Sequence, residues 1–126
     1  MKSLIYVLIW TICFTISGFY INDKIYDFTE NYTSNVEIVG NLILDNDWDS
    51  ANEELKILSK NWYEEKEVWY KLLDHTYFDE ITLYLNILDK SIYTKDKSKA
   101  FEEIETIKMT LNNLLESEKF DLNHIF

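Results

Sequence analysis

The chain has 126 residues, 12 of them lysine and none arginine, against 23 acidic residues, for a formal net charge of −11. That balance speaks against a nucleic-acid partner, whose phosphates would be repelled, and against a domain lying flat on anionic lipid. The lack of Arg removes the bidentate fork for carboxylate and phosphate, and Cys13, the only cysteine, leaves no internal disulfide.

The first element is an uncharged run from Ser3 to Asn22, carrying Leu4, Ile5, Val7, Leu8, Ile9, Trp10, Ile12, Phe14, Ile16 and Phe19. As a helix it would span about 30 Å, the hydrocarbon thickness of a bilayer. Because it is apolar all round, it does not read as a core helix, which would keep one polar face. Ile16-Ser17-Gly18 is only a tolerable match to a cleavage site and Phe19, Tyr20 and Ile21 extend the apolar run beyond it, so an uncleaved anchor is expected over residues 1–21, touching lipid through 3–21. The alternative is a cleaved signal peptide. Lys2 and the amino group put the N-terminus in the cytoplasm, with a single-pass topology at the cell membrane and the rest outside.

Residues 22–126 are enough for one domain with a core, and without Lys2 the charge is −12. There is no Pro, and the only glycines are Gly18 and Gly40, so long helices are permitted. The stripe Ile21, Ile25, Phe28, Tyr32, Val36, Val39 and Ile43 predicts a helix continuing from the anchor and ending near Asp45-Asn46. Asp47 then caps a second helix with two apolar rows, Trp48, Leu55, Trp62, Trp69 and Ala51, Leu58, Leu72, the latter broken by Glu65. Glu67 and Lys71 are spaced as an i,i+4 pair. After Asp74-His75, Thr76 to Asp79 has the form of a capping box ahead of Ile81, Leu85, Leu88 and Ile92. Asp96 caps the last helix, with Ala100, Ile104, Ile107, Leu111 and Leu114 on its stripe. The tail Phe120, Leu122, Ile125, Phe126 is apolar enough to pack back.

A shift of 49 residues maps Asp47, Ala51, Leu55, Leu58 and Trp62 onto Asp96, Ala100, Ile104, Ile107 and Leu111. It also maps Tyr32, Val36, Val39 and Ile43 onto Ile81, Leu85, Leu88 and Ile92. The expected fold is all-α: a transmembrane helix, then an antiparallel four-helix bundle made of two helical hairpins. A tetratricopeptide-like stack is the alternative.

The ordered set Asp47-Trp48, Ala51, Leu55, Leu58, Trp62, Trp69, Asp74-His75, Ile81, Leu85, Asp96, Ala100, Ile107-Lys108, Leu111 and Leu122-Asn123 resembles a family. It is that of small clostridial and bacillar membrane-anchored proteins classed as domain of unknown function 4363. The resemblance implies a bacterial, membrane-anchored helical protein and no particular chemistry. Further acidic residues after the Asp-His pair are common in that family; Thr76 and Tyr77 stand there in this chain.

The one constellation with metal-ligand chemistry is Asp74, His75 and Asp79, beside Glu80. The plainer reading is a helix end, a turn and a cap. Trp48, Trp62 and Trp69 with Glu65 could form a cation-binding face, but heptad spacing is what a core requires. Asn31-Tyr32-Thr33 matches a glycosylation acceptor, idle in a bacterium. Cys13, inside the anchor, is no nucleophile. No catalytic residue, cofactor or metal is assigned. The expected role is a non-catalytic interaction module outside the cytoplasm, meeting a membrane-protein partner or a second copy. A ligand- or metal-binding sensor is the alternative.

Overall fold

The computed structural model describes the backbone of residues 2–71 and 75–125, and the side chains of 2–20, 23–71 and 75–117. The described residues form four helices and no strand: α1 (Lys2–Leu44), α2 (Trp48–Trp69), α3 (His75–Tyr93) and α4 (Lys97–Ile125). The apolar run and the first amphipathic stripe are one unbroken helix of 43 residues, about 65 Å long. α1 is also long and apolar enough to cross a membrane, and nothing within the domain covers its most apolar stretch.

The turns after α1 and α3 are copies of one another. After α1, Asn46 adopts φ 62°, Asp47 N–H donates to Leu42 O (2.9 Å) and Asn46 N–H to Ile43 O (3.0 Å). Forty-nine positions later Lys95 adopts φ 55°, Asp96 N–H donates to Ser91 O (2.9 Å) and Lys95 N–H to Ile92 O (3.1 Å). Both are Schellman endings, with the left-handed position filled by Asn and Lys rather than Gly. In each turn the next residue also caps the following helix: Ser50 N–H donates to Asp47 Oδ1 (3.2 Å) and Lys99 N–H to Asp96 Oδ1 (3.1 Å). These connections are so short that each reverses the chain directly into the next helix.

α1 packs against α2 and α4, and α3 packs against α2 and α4; among the described residues the α1 and α3 backbones stay apart and touch only across the core, where the Phe28 and Phe78 rings lie 6.1 Å apart. A tetratricopeptide-like stack would instead set α1 against α3. The core takes in the stripes read from the sequence, from Phe28 through Leu114, with both repeat-related alanines, Ala51 and Ala100; Phe78, read only as part of a cap, joins it fully buried, whereas Trp48 and Trp69 are half-buried against it. At its centre Trp62 is fully buried against Phe28, Tyr32 and Phe78, at ring-centroid distances of 5.7, 5.2 and 5.5 Å. Its indole Nε1–H donates to Thr82 Oγ1 (2.9 Å), and that hydroxyl donates to Phe78 O (2.8 Å), so the buried polar edge is satisfied. The buried hydroxyls of Thr29, Ser91 and Thr110 donate back to carbonyls of their own helices.

Three local expectations are corrected. α3 begins at His75, so Thr76 lies inside its first turn and is not the residue ahead of the helix. Asp79 faces His75, one turn back, instead. Glu67 and Lys71 do not pair, because α2 ends at Trp69 and Lys71 falls beyond the helical register. Leu72, Asp74 and Phe126 lie outside the described residues, as do the side chains of the tail; the tail backbone continues α4 to Ile125.

The Tyr32 hydroxyl is buried and has no hydrogen-bond partner. Burial, then the nearby Glu65 carboxylate, pushes its pKa above the ordinary phenol range. The folded state therefore holds the proton more tightly than the unfolded chain. The resulting stability is complete below about pH 10 and is lost as pH rises further. Tyr32→Phe removes the orphaned hydroxyl and keeps the ring. The variant is expected to gain about 1 kcal/mol in chemical denaturation near pH 7 and to lose part of the alkaline decline above pH 10. An unchanged alkaline profile together with a loss of stability would contradict this.

Candidate functional site

The duplicated hairpin makes two of the helix seams equivalent, α1 against α4 and α3 against α2. The structure treats them differently. On the α1–α4 side Gly40 faces Ile104 across the seam, with room there for no more than a Cβ in van der Waals contact with Ile104 Cδ1 at 3.4 Å. Lys108 Nζ spans this seam to Glu37 Oε1 (3.3 Å) and also reaches Glu105 (3.4 Å). Partial burial lowers the Lys108 pKa, and the two carboxylates outweigh it, so the net shift is upward. Phe101 packs on the core from the same side. Lys97 Nζ closes the end of the seam by donating to Leu44 O (3.3 Å) and Asn46 Oδ1 (3.0 Å).

Every one of these devices is missing from the α2–α3 seam. Forty-nine positions from Gly40 stands Asp89, exposed and lining the groove. Glu37 and Lys108 correspond to Asn86 and Ser59, which form no ion pair, and Phe101 corresponds to Asn52. Lys97, the clamp, corresponds to Trp48, and Leu44 to Tyr93. The seam is left as an open groove in two stretches of about 590 and 250 Å³; that beside α1 and α4 holds about 260 Å³.

The larger stretch lies at the end of the domain carrying the duplicated turns. Trp48 forms its apolar floor, half-buried against the core, and Tyr93 stands at its rim, 89% exposed. Lys56, Lys90 and Lys95 face it, with Asp49 and Asp89 between them. Lysines outnumber acids at this recess, in a domain that is otherwise strongly acidic. An exposed aromatic beside a recessed Trp, ringed by both signs of charge, suits binding of a polypeptide side-chain array. Neither His nor Cys is among its described lining residues, so it offers no nucleophile of those types.

The residues singled out from the sequence fall elsewhere. His75 Nδ1 lies 3.6 Å from Asp79 Oδ2, with both side chains exposed, and Asp74 lies outside the described residues. His75 stacks on Tyr70 with ring centroids 5.4 Å apart, bracing the two sides of the α2–α3 connection. Among the described residues no group of three or more His, Cys, Asp or Glu could hold a metal. Trp62 is sealed in the core and Glu65 is exposed, so the Trp row presents no continuous cation face. Asn31 and Cys13 are both exposed. The matching positions of the repeat give no sign of the groove, which lies where the two halves diverge. Gly40 against Asp89 and Lys97 against Trp48 are the divergences in the sequence that mark it.

If Gly40 is what closes one seam, Gly40→Asp should loosen it. The variant is expected to lose about 1–3 kcal/mol by overpacking against Ile104 and burying a carboxylate edge. Chemical denaturation of the full chain in detergent measures this, and a neutral result would remove Gly40 as the cause of the asymmetry.

No curated protein and no solved structure matches the chain. A family model does match, over residues 19–125, from the end of the apolar run almost to the C-terminus. The chain therefore belongs to the family described as domain of unknown function 4363.

Proposed function

We propose that this protein is a membrane-tethered, non-catalytic interaction module: an N-terminal transmembrane helix carrying an antiparallel four-helix bundle on the outer side of the cell membrane. Three-residue turns that reverse the chain, and the packing of α4 back onto α1, support the bundle. The uncharged first half of α1 supports the anchor, and Lys2 ahead of the apolar run supports a cytoplasmic N-terminal side. The observation that carries the functional reading is the open α2–α3 groove, lined by Asp89 where its repeat-related seam has Gly40 and is spanned by the Lys108–Glu37 ion pair.

In this reading the tether restricts encounters to proteins of the same membrane, which raises the effective concentration of a local partner. The distal end of the groove stands about 33 Å above the apolar run, since Leu44 is 22 residues beyond Asn22 on one helix. The partner is thus a membrane protein whose extramembrane part reaches that height, anchoring on Trp48 and Tyr93. The test is a photo-crosslinking residue at position 93 in the full-length protein in native membranes, with the same residue at exposed Met109 on α4 as control. Position 93 is expected to yield one adduct, identified by mass spectrometry with its crosslinked peptide outside the partner's spans and lost in Trp48→Ala. Identical products from both positions, or none from position 93, would contradict the reading. A dimer-sized adduct would make the occupant a second copy.

A further inference from the structure

We propose that the end of the domain from which α1 emerges sits in the lipid headgroup layer, with Val68, Tyr70 and Tyr26 at headgroup depth. The inference rests on the reading of α1 as a membrane span and adds the depth and the lipid chemistry. α1 runs unbroken from the apolar run into the core, so no flexible stalk separates the domain from the bilayer. Height is then set by helix rise alone. Phe28 is six residues past Asn22, about 9 Å along the axis. Its ring lies 6.0 Å from that of Trp69, the last residue of α2, so the lower end of α2 stands at that height. Headgroups occupy about 5–8 Å beyond each face of the hydrocarbon, within reach of Tyr and Lys side chains from this level.

The residues at this end suit that layer. Val68 is 65% exposed and Tyr26 51%, with Tyr63 and Tyr70 also open to the surface. Lys66 Nζ lies over the rings of Tyr63 and Tyr70, 5.4 and 5.7 Å from their centroids, and Lys24 lies 5.4 Å over Tyr20. Tyrosines and long lysines are the side chains that interfacial regions accept, an apolar body with a polar tip. Lys24, Lys66 and Lys71 are set against Asp23, Asp27, Glu30, Glu64, Glu65, Glu67, Asp79 and Glu80 at this end, so anionic headgroups would be repelled and the layer that accepts it is zwitterionic, with lysines meeting phosphate and carboxylates meeting the ammonium.

The test uses the full chain carrying Cys13→Ser, reconstituted in phosphatidylcholine vesicles, with one spin label at a time introduced by Val68→Cys, Tyr26→Cys, Tyr93→Cys or Ile9→Cys. Power saturation with oxygen and a water-soluble nickel chelate then reports depth. Labels at 68 and 26 are expected to meet the chelate several-fold less than the label at 93, while the label at 9 meets oxygen almost exclusively. Chelate access at 68 and 26 equal to that at 93, with 9 still in hydrocarbon, would overturn the headgroup placement and leave the anchor standing. Access at 9 equal to that at 93 would overturn the anchor and the placement with it. Val68 and Tyr26 are both exposed and lie on different helices, so a folding defect in one variant leaves the other to decide.

Discussion

The continuity of α1 is the constraint on which the rest of the structure depends. One helix of 43 residues is apolar on every side in its first half and amphipathic in its second. With no Pro and only Gly18 and Gly40 along it, nothing local invites a break where the pattern changes. The domain is therefore built on the extension of its own apolar segment. Phe28, Tyr32, Val36, Val39 and Ile43 form the wall against which α2 and α4 pack. Any tilt of the first half is transmitted to the domain as a rigid-body tilt.

Duplication accounts for the remaining architecture. Two hairpins carry the same turn, hydrogen bond for hydrogen bond, and the same Ala four residues after the capping Asp. Each hairpin alone would leave its apolar stripe in water, and their pairing buries both. A strict copy would give two equal seams. The divergence at Gly40/Asp89, Lys108/Ser59 and Lys97/Trp48 has turned one seam into a structural joint and left the other open. The closed seam holds the domain to the helix that emerges from it, and the open seam faces away from that helix.

Much of this was legible in the sequence, for a physical reason. Helical stripes repeat every three or four residues, so Ile81, Leu85, Leu88 and Ile92, or Ala100, Ile104 and Ile107, announce a buried face before any packing is known. The capping aspartates were legible too, because an acidic side chain at a helix start satisfies otherwise orphaned N–H groups. What the pattern could not carry was distance between helices. Gly40 and Asp89 both sit in ordinary helix, and only contact with α4 or α2 gives each its consequence. Trp48 has the spacing of another heptad residue, yet it lines the groove beside Ile92 and Tyr93 at the end of α3. Thr76 and Asp79 matched a cap, but the α2–α3 connection delivers the chain into helix one residue earlier, at His75. Buried Glu103, paired on one oxygen with Lys99 at 3.2 Å, also gave no advance sign in a stretch of exposed acids.

The most direct test of the account is hydrogen–deuterium exchange of the full-length protein in lipid nanodiscs, read by mass spectrometry across residues 19–28. A single helix joining the apolar run to the core predicts slow exchange through this segment, continuous with the protection of residues 29–44. Rapid exchange confined to residues 21–24 would reveal a break between two independent helices. The domain would then hang from a flexible joint, and neither the groove's height nor the placement of its lower end would be fixed by α1.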